Sequence, residues 1–184
     1  MRLFVAIELP EAVKEQLSAL KTGIPGATWV KPPALHLTLR FLGDHIDPIR
    51  STPIKTALAS IKAAPFPILL KGTGRFPSGK RPARVLWVGI AEQRALMSLQ
   101  AAVEKALATV DFPPEERDFS PHITLARLKD TAEGQAARVE RFLEAHKDFR
   151  AEAFTVEQFY LVSSLLTPQG PNYRHEATFP LHEE

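Results

Sequence analysis

Two short segments carry the residues of this sequence that are best suited to chemistry. They are His36-Leu37-Thr38-Leu39 and His122-Ile123-Thr124-Leu125. Residues i and i+2 of a β-strand point to the same face, so each segment presents an imidazole and a hydroxyl on one face and apolar anchors on the other. One His-x-Thr in a chain with six histidines is unsurprising, whereas two copies in the same strand-like context indicate a shared role.

Two imidazoles and two hydroxyls suit in-line displacement at phosphorus. Histidine titrates near neutral pH, so one imidazole can deprotonate an attacking water while the other protonates the departing alkoxide. The residues alone leave open which histidine is the acid. Threonine hydroxyls and a cation could hold the non-bridging oxygens. A metal site is the competing use of paired histidines, but the nearest carboxylates, Asp44 and Asp118, fall in predicted turns, so we expect no metal and no cofactor.

Simple alternation adds one cation to the first motif. Arg40 follows Thr38 by two residues, so it is predicted to share the face of His36 and Thr38 and is a candidate for binding substrate. A solvated charge at the end of the strand is the alternative interpretation.

The remaining pattern predicts the elements that must position these segments. Strands are predicted over 2–8, 35–42, 66–70, 84–90, 154–163 and 173–181, and apolar residues at helical spacing predict helices after Pro10 and Pro53, over 96–110 and around 136–143. Each half of the chain contains one motif strand. The sequence therefore predicts a single α+β domain over 1–184, in two pseudo-symmetric halves. Each half is a mainly antiparallel sheet with helices on its outer face and its motif strand facing a central cleft.

Composition excludes several classes of protein. The absence of cysteine excludes disulfides, thiolate metal sites and cysteine nucleophiles. No apolar run approaches the roughly 20 residues of a membrane helix, and the N-terminus lacks the features of a signal peptide, so we expect a cytoplasmic protein with no membrane partner. The net charge of +2 permits a nucleic-acid partner without requiring one.

The chain resembles the 2H phosphoesterase superfamily, most closely its bacterial and archaeal RNA 2′,3′-cyclic phosphodiesterases, also labelled 2′-5′ RNA ligases. The resemblance rests on both motifs and on flanking words along nearly the whole chain, namely Arg2-Leu-Phe-Val-Ala-Ile, Trp29-Val, Arg40-Phe-Leu-Gly43, Arg84-Val-Leu-Trp-Val-Gly89, Phe119-Ser-Pro and Gly170-Pro-x-Tyr173.

By that resemblance His36 would be the general acid and His122 the general base. Thr38 and Thr124 would bind the phosphate, with Arg127 as a further phosphate contact. Simple alternation places Arg127 on the face opposite His122, so a twist or a bulge is needed for it to reach the site. The implied reaction opens an RNA-terminal 2′,3′-cyclic phosphate to a 2′-phosphomonoester without metal. Related chemistry against a 5′-hydroxyl end would form a 2′-5′ linkage. The alternatives are a non-catalytic RNA-end binder and a 2H enzyme that acts on a small cyclic nucleotide.

The basic stretch 71–84 bears on the substrate. Residues 74–80 match G-x-x-x-x-G-K, but Arg81, Pro82 and a predicted strand follow where a phosphate-binding helix should begin, so we expect no ATP. Five basic residues and no acidic one predict that the stretch guides RNA toward the cleft, a solvated loop being the alternative.

The remaining aromatic and histidine residues are at most minor candidates for the site. We expect Phe76, Trp29 and Trp87 to pack in the protein interior. Tyr173 and His175 are weak candidates for lining the cleft. We also expect the protein to be a monomer.

Overall fold

Antiparallel sheets form the frame of the protein, which is described by a computed structural model over residues 1–92, 94–129 and 132–183. The first sheet contains β1 (Arg2–Glu8), β3 (His36–Gly43), β9 (Gln158–Thr167) and β10 (Gly170–Pro180), in the order β10-β9-β1-β3. The second contains β2 (Ala27–Trp29), β5 (Leu70–Phe76), β6 (Val85–Ile90) and β7 (Ile123–Leu128), in the order β2-β7-β6-β5. A two-stranded sheet pairs β4 (Phe66–Ile68) with β8 (Phe154–Val156).

The helices of the described chain are α1 (Glu11–Ser18), α2 (Ser51–Ala59), α3 (Arg94–Ala108) and α4 (Gln135–Ala145). In α3 the residues at helical spacing, Leu96, Leu99, Val103 and Leu107, are all buried, and the helix packs against α2 and β3. The α+β class predicted from the sequence is confirmed. None of the described helices combines the length and the apolar character that crossing a bilayer requires.

One buried cluster anchors both motif strands. Leu37 and Leu39 of the first motif, and Ile123 and Leu125 of the second, are at most 3% exposed and belong to the same hydrophobic core. Burial of such side chains contributes about 1.5–3 kcal/mol each. The histidine and threonine of each motif are therefore fixed in position by the apolar motif residues, which pack in the core between the two sheets.

An extra residue interrupts the pairing of each motif strand at the same point. Thr38 lies opposite Ala6 and Arg40 opposite Val5, so Leu39 has no partner in β1. In the second sheet Thr124 lies opposite Trp87 and Ala126 opposite Leu86, so Leu125 has no partner in β6. A bulge of this kind shifts every following side chain to the other face of its strand. Each bulge comes three residues after the motif histidine, which changes where the two downstream arginines point.

Candidate active site

The motif side chains come together in one cavity. A volume of about 320 Å³ is lined by His36, Thr38, His122, Thr124 and Arg127. His36 begins β3, and His122 directly precedes β7. The cavity thus combines five of the six site residues predicted from the sequence, and Arg40 is not among its lining residues.

Both histidines are oriented by the same short hydrogen bond. His36 Nδ1 lies 2.7 Å from the carbonyl oxygen of Ala34, and His122 Nδ1 lies 2.7 Å from the carbonyl oxygen of Ser120. A carbonyl only accepts, so Nδ1 carries the hydrogen in both rings and Nε2 is the nitrogen left for chemistry. His36 Nε2 lies 2.8 Å from Thr38 Oγ1, whose hydroxyl donates to the neutral ring.

Aromatic neighbours enclose His36. The Phe4 ring lies 4.8 Å from the imidazole between centroids, and Tyr173 meets it edge-on at 5.3 Å. Burial lowers the pKa of His36. The carbonyl of Ala34 opposes this shift, while the positive charge of Arg127 and the proximity of His122 add to it. The free protein therefore favours the neutral imidazole at position 36.

Aromatic rings also pack against His122. Phe76 meets the His122 ring edge-on at 4.9 Å, and Phe76 in turn lies 5.3 Å from Trp87. The Trp87 ring covers Gly74 so closely that a Cβ at position 74 would lie 2.1 Å from Trp87 Cζ2. Phe76 and Trp87 thus pack in the protein as expected. Trp29 also packs, at 5.7 Å from Phe142, but it reaches the cavity as well.

The bulge in β7 brings Arg127 to the site. Alternation alone placed Arg127 on the face opposite His122, and the unpaired Leu125 reverses that placement. Arg127 is exposed, lies opposite Val85 and lines the cavity with Thr124. Its guanidinium is therefore available to an anion held between the two histidines.

The corresponding bulge in β3 turns Arg40 away from the cavity that both motifs line. Arg40 lies opposite the core residue Val5 and is 8% exposed, so the prediction that it shares the face of His36 and Thr38 is wrong. Its Nη1 lies 2.7 Å from Glu104 Oε2, and its Nη2 donates to the carbonyl of Pro113 at 2.9 Å. The cleft-facing residue that follows the bulge is Phe41, which lies opposite Phe4.

A larger and more open cavity of about 790 Å³ adjoins the first and shares Thr38 and His122 with it. Its lining residues include four arginines and three phenylalanines: Arg40, Arg81, Arg84, Arg117, Phe41, Phe76 and Phe119. Two of the arginines come from the basic stretch 71–84, whereas the sequence pattern gave no sign of Arg117 or Phe41. Part of that stretch is strand and not loop, and its Arg75 donates to the carbonyl oxygens of Pro77 and Arg81.

The minor candidates for the cleft have different surroundings. Tyr173 lines the first cavity beside His36. His175 lies in a neighbouring cavity, where its Nε2 is 3.2 Å from Glu8 Oε2 and its ring stacks on Tyr160 at 4.0 Å. No group of three His, Asp or Glu side chains suited to a metal ion occurs within the described ranges.

Comparison with known proteins places this constellation in a family. The model of the 2′-5′ RNA ligase superfamily matches residues 8–167. A Thermus thermophilus protein named RNA 2′,3′-cyclic phosphodiesterase is 39% identical, over 100% of this chain and 92% of its own. One of the same name from Archaeoglobus fulgidus is 32% identical, over 97% of this chain and 99% of its own. The structure of E. coli LigT complexed with 3′-AMP superposes with a TM-score of 0.78 at 25% identity, covering 99% and 98% of the two chains.

The family-model match over most of the chain and the relatives above 30% identity show the family. The chain belongs to the 2′-5′ RNA ligase superfamily, within the 2H phosphoesterases.

Proposed function

We propose that the protein is an RNA 2′,3′-cyclic phosphodiesterase that acts without a metal ion. The observation that carries the proposal is the cavity that both motifs line. In it each histidine has its Nδ1 committed to a backbone carbonyl, so that Nε2, which in His36 is bonded to Thr38, is the nitrogen that can transfer a proton. The shared name of the Thermus and Archaeoglobus relatives supports the substrate class.

The proposed reaction assigns one proton transfer to each histidine. His122 Nε2 takes a proton from water, the water oxygen bonds to phosphorus, the P–O3′ bond breaks, and His36 Nε2 gives its proton to O3′. The product is a 2′-phosphomonoester. Thr38 and Thr124 donate their hydroxyls to the non-bridging oxygens, and Arg127 neutralises the charge that develops on them.

The acid role of His36 requires a proton that burial disfavours in the free protein, since burial lowers the pKa of this residue. A bound phosphate supplies the compensation. Its negative charge near His36 favours the imidazolium and offsets the effect of Arg127. In this proposal the substrate itself prepares the acid, so His36 is protonated in the complex more readily than in the free protein.

The second cavity supports an RNA chain as substrate in preference to a mononucleotide. Its exposed arginines Arg81, Arg84 and Arg117 can contact a phosphate backbone, and its phenylalanines add apolar surface against which bases can pack. The cavity touches His122 but not His36, so it lies on the side of the proposed base. A 5′-hydroxyl RNA end bound there could replace water as the nucleophile, which would run the chemistry toward a 2′-5′ linkage.

The test compares the two motif histidines with a histidine away from the cavity. His36→Asn and His122→Asn should each lower kcat by at least about 100-fold on an RNA with a 2′,3′-cyclic phosphate end, with unchanged circular dichroism. The exposed His45 provides the matched control, and His45→Asn should keep full activity. A wild-type protein that binds this RNA and returns it unchanged would instead identify a non-catalytic RNA-end binder. Turnover confined to cyclic mononucleotides would identify the small-substrate alternative.

A further inference from the structure

Arg40 is the centre of a buried polar network beside the site. Its Nη1 donates to both carboxylate oxygens of Glu104, at 2.8 and 2.7 Å, and its Nη2 donates to the carbonyl of Pro113 at 2.9 Å. Its Nε donates to the carbonyl of Phe41 at 3.2 Å and lies 3.4 Å from Glu115 Oε1. The guanidinium is thus surrounded by protein acceptors and is 8% exposed, which leaves little room for a substrate phosphate.

Glu104 extends this network to the bulge of the first motif strand. The Gln100 side chain donates to Glu104 Oε1 at 3.3 Å and to the carbonyl of Leu39, the bulged residue, at 3.4 Å. Both Gln100 and Glu104 lie on α3. Helix α3 is therefore hydrogen-bonded to β3 at Leu39, the bulge after which the side chains of β3 change faces.

The same network holds the beginning of the segment that leads to the second motif. The carbonyl of Pro113 accepts from Arg40, and the backbone N–H of Glu115 donates to Glu104 at 3.2 Å. Residues 113–122 contain no helix or strand, and the segment ends with the Ser120 carbonyl that orients His122. Residues of this segment line the larger cavity together with residues of β3.

We infer that Arg40 and Glu104 are positioning residues that set the orientation of His122 relative to the first motif strand. This inference rests on the proposed function. The pair bonds three backbone atoms, those of Phe41, Pro113 and Glu115, and reaches the Leu39 carbonyl through Gln100. A shift in the pair therefore moves the segment 113–122, with Ser120 and the imidazole that its carbonyl holds. Catalytic geometry is sensitive to such shifts, because a displacement of about 1 Å can cost about 100-fold in rate.

The test uses substitutions that keep bulk and alter the contacts. Arg40→Lys keeps the positive charge, but a lysine ammonium cannot bond Glu104, Pro113 and Phe41 at the same time. Glu104→Gln keeps the shape of the side chain but removes its negative charge. Each should lower kcat about tenfold with KM for a cyclic mononucleotide within about twofold. The double variant should lose less than the product of the two single losses, because both residues act in one network.

Arg50 provides a matched control. It also bonds a carbonyl beyond α3, that of Val110 at 3.1 Å, and its guanidinium lies over Phe112, but it does not line the cavities. Arg50→Lys should lower thermal stability without changing kcat. The imidazole Nδ1–H signal of His122, assigned by its loss in His122→Asn, should move in Arg40→Lys and Glu104→Gln and stay in place in Arg50→Lys.

Several outcomes would overturn the inference. A rise in KM for RNA with unchanged kcat would make Arg40 a substrate contact. The network would be purely structural if Arg40→Lys and Glu104→Gln lost thermal stability as Arg50→Lys does, with unchanged kcat and an unmoved His122 signal. Failure of both variants to fold would lead to the same conclusion. An inactive wild-type protein would remove the proposed function, while the His122 signal would still decide the positioning role.

Discussion

Arg127 offers the sharpest test of the site, because its place there depends on a bulge that strand alternation does not predict. It is exposed on the cleft side, and among the described residues it forms no salt bridge with a carboxylate. A charge-assisted hydrogen bond to a phosphate contributes about 1.5–3 kcal/mol. Replacement of Arg127 by Met should therefore lower kcat/KM by about 10- to 150-fold, and Arg127→Lys should recover part of the loss.

The same variant has a readout that does not require turnover. The charge of Arg127 helps to lower the pKa of His36, so Arg127→Met should raise it. Steady-state kinetics on an RNA with a 2′,3′-cyclic phosphate end measures the first effect, and NMR titration of the His36 imidazole measures the second. The control is Arg141→Met, at an exposed position of α4. A kcat/KM within twofold of wild type, together with an unmoved His36 titration, would refute the placement of Arg127 in the site.

Three further predictions follow from the packing and charge around the cavities. Burial lowers the pKa of His36, so as pH falls below about 6.5 the imidazole binds a proton in the unfolded chain before it does so in the folded protein. Wild type should therefore lose up to about 1.4 kcal/mol of unfolding free energy per pH unit relative to His36→Gln. A difference in unfolding free energy between the two proteins that is the same at pH 7 and pH 5.5 in urea titrations would contradict this. Gly74→Ala should lower the free energy of unfolding by about 1–3 kcal/mol because its Cβ would overlap the Trp87 ring. Gly23→Ala, whose Cβ would have its nearest neighbour at 3.7 Å, should change it by no more than about 0.5 kcal/mol. Equal melting temperatures of the two variants would show that the ring does not cover residue 74. Replacement of Arg81 and Arg84 by Gln should lower kcat/KM at least about fivefold for RNA but not for a cyclic mononucleotide, and should flatten its salt dependence; equal effects on both substrates would remove the larger cavity from the RNA path.

Strand periodicity predicts the motif faces as far as the bulge and fails after it. The pattern predicted that His36 shares a face with Thr38, and His122 with Thr124, because two-residue alternation depends only on local geometry. It was wrong for Arg40 because Leu39 is an extra residue in the pairing with β1, and the carbonyl of Leu39 accepts from a glutamine 61 residues away.

The second motif shows the same dependence on distant contacts. The carbonyl of Leu125, its bulged residue, accepts from the backbone N–H of Val30 at 2.8 Å. Contacts between segments so far apart in the chain leave no trace in a local pattern. The family resemblance supplied Arg127 where periodicity did not, and neither could predict Arg117 or Phe41, which meet only when the segment 113–122 and β3 form the walls of one cavity.

The most direct test of the proposed function is the product made by wild-type protein. An RNA ending in a 2′,3′-cyclic phosphate is incubated with the protein in EDTA, and the phosphate of the product is located by mass and by sensitivity to phosphatase. The two-histidine mechanism predicts a 2′-phosphomonoester, formed at the same rate with and without the chelator. A 3′-phosphomonoester, or activity that EDTA removes and Zn²⁺ restores, would contradict it.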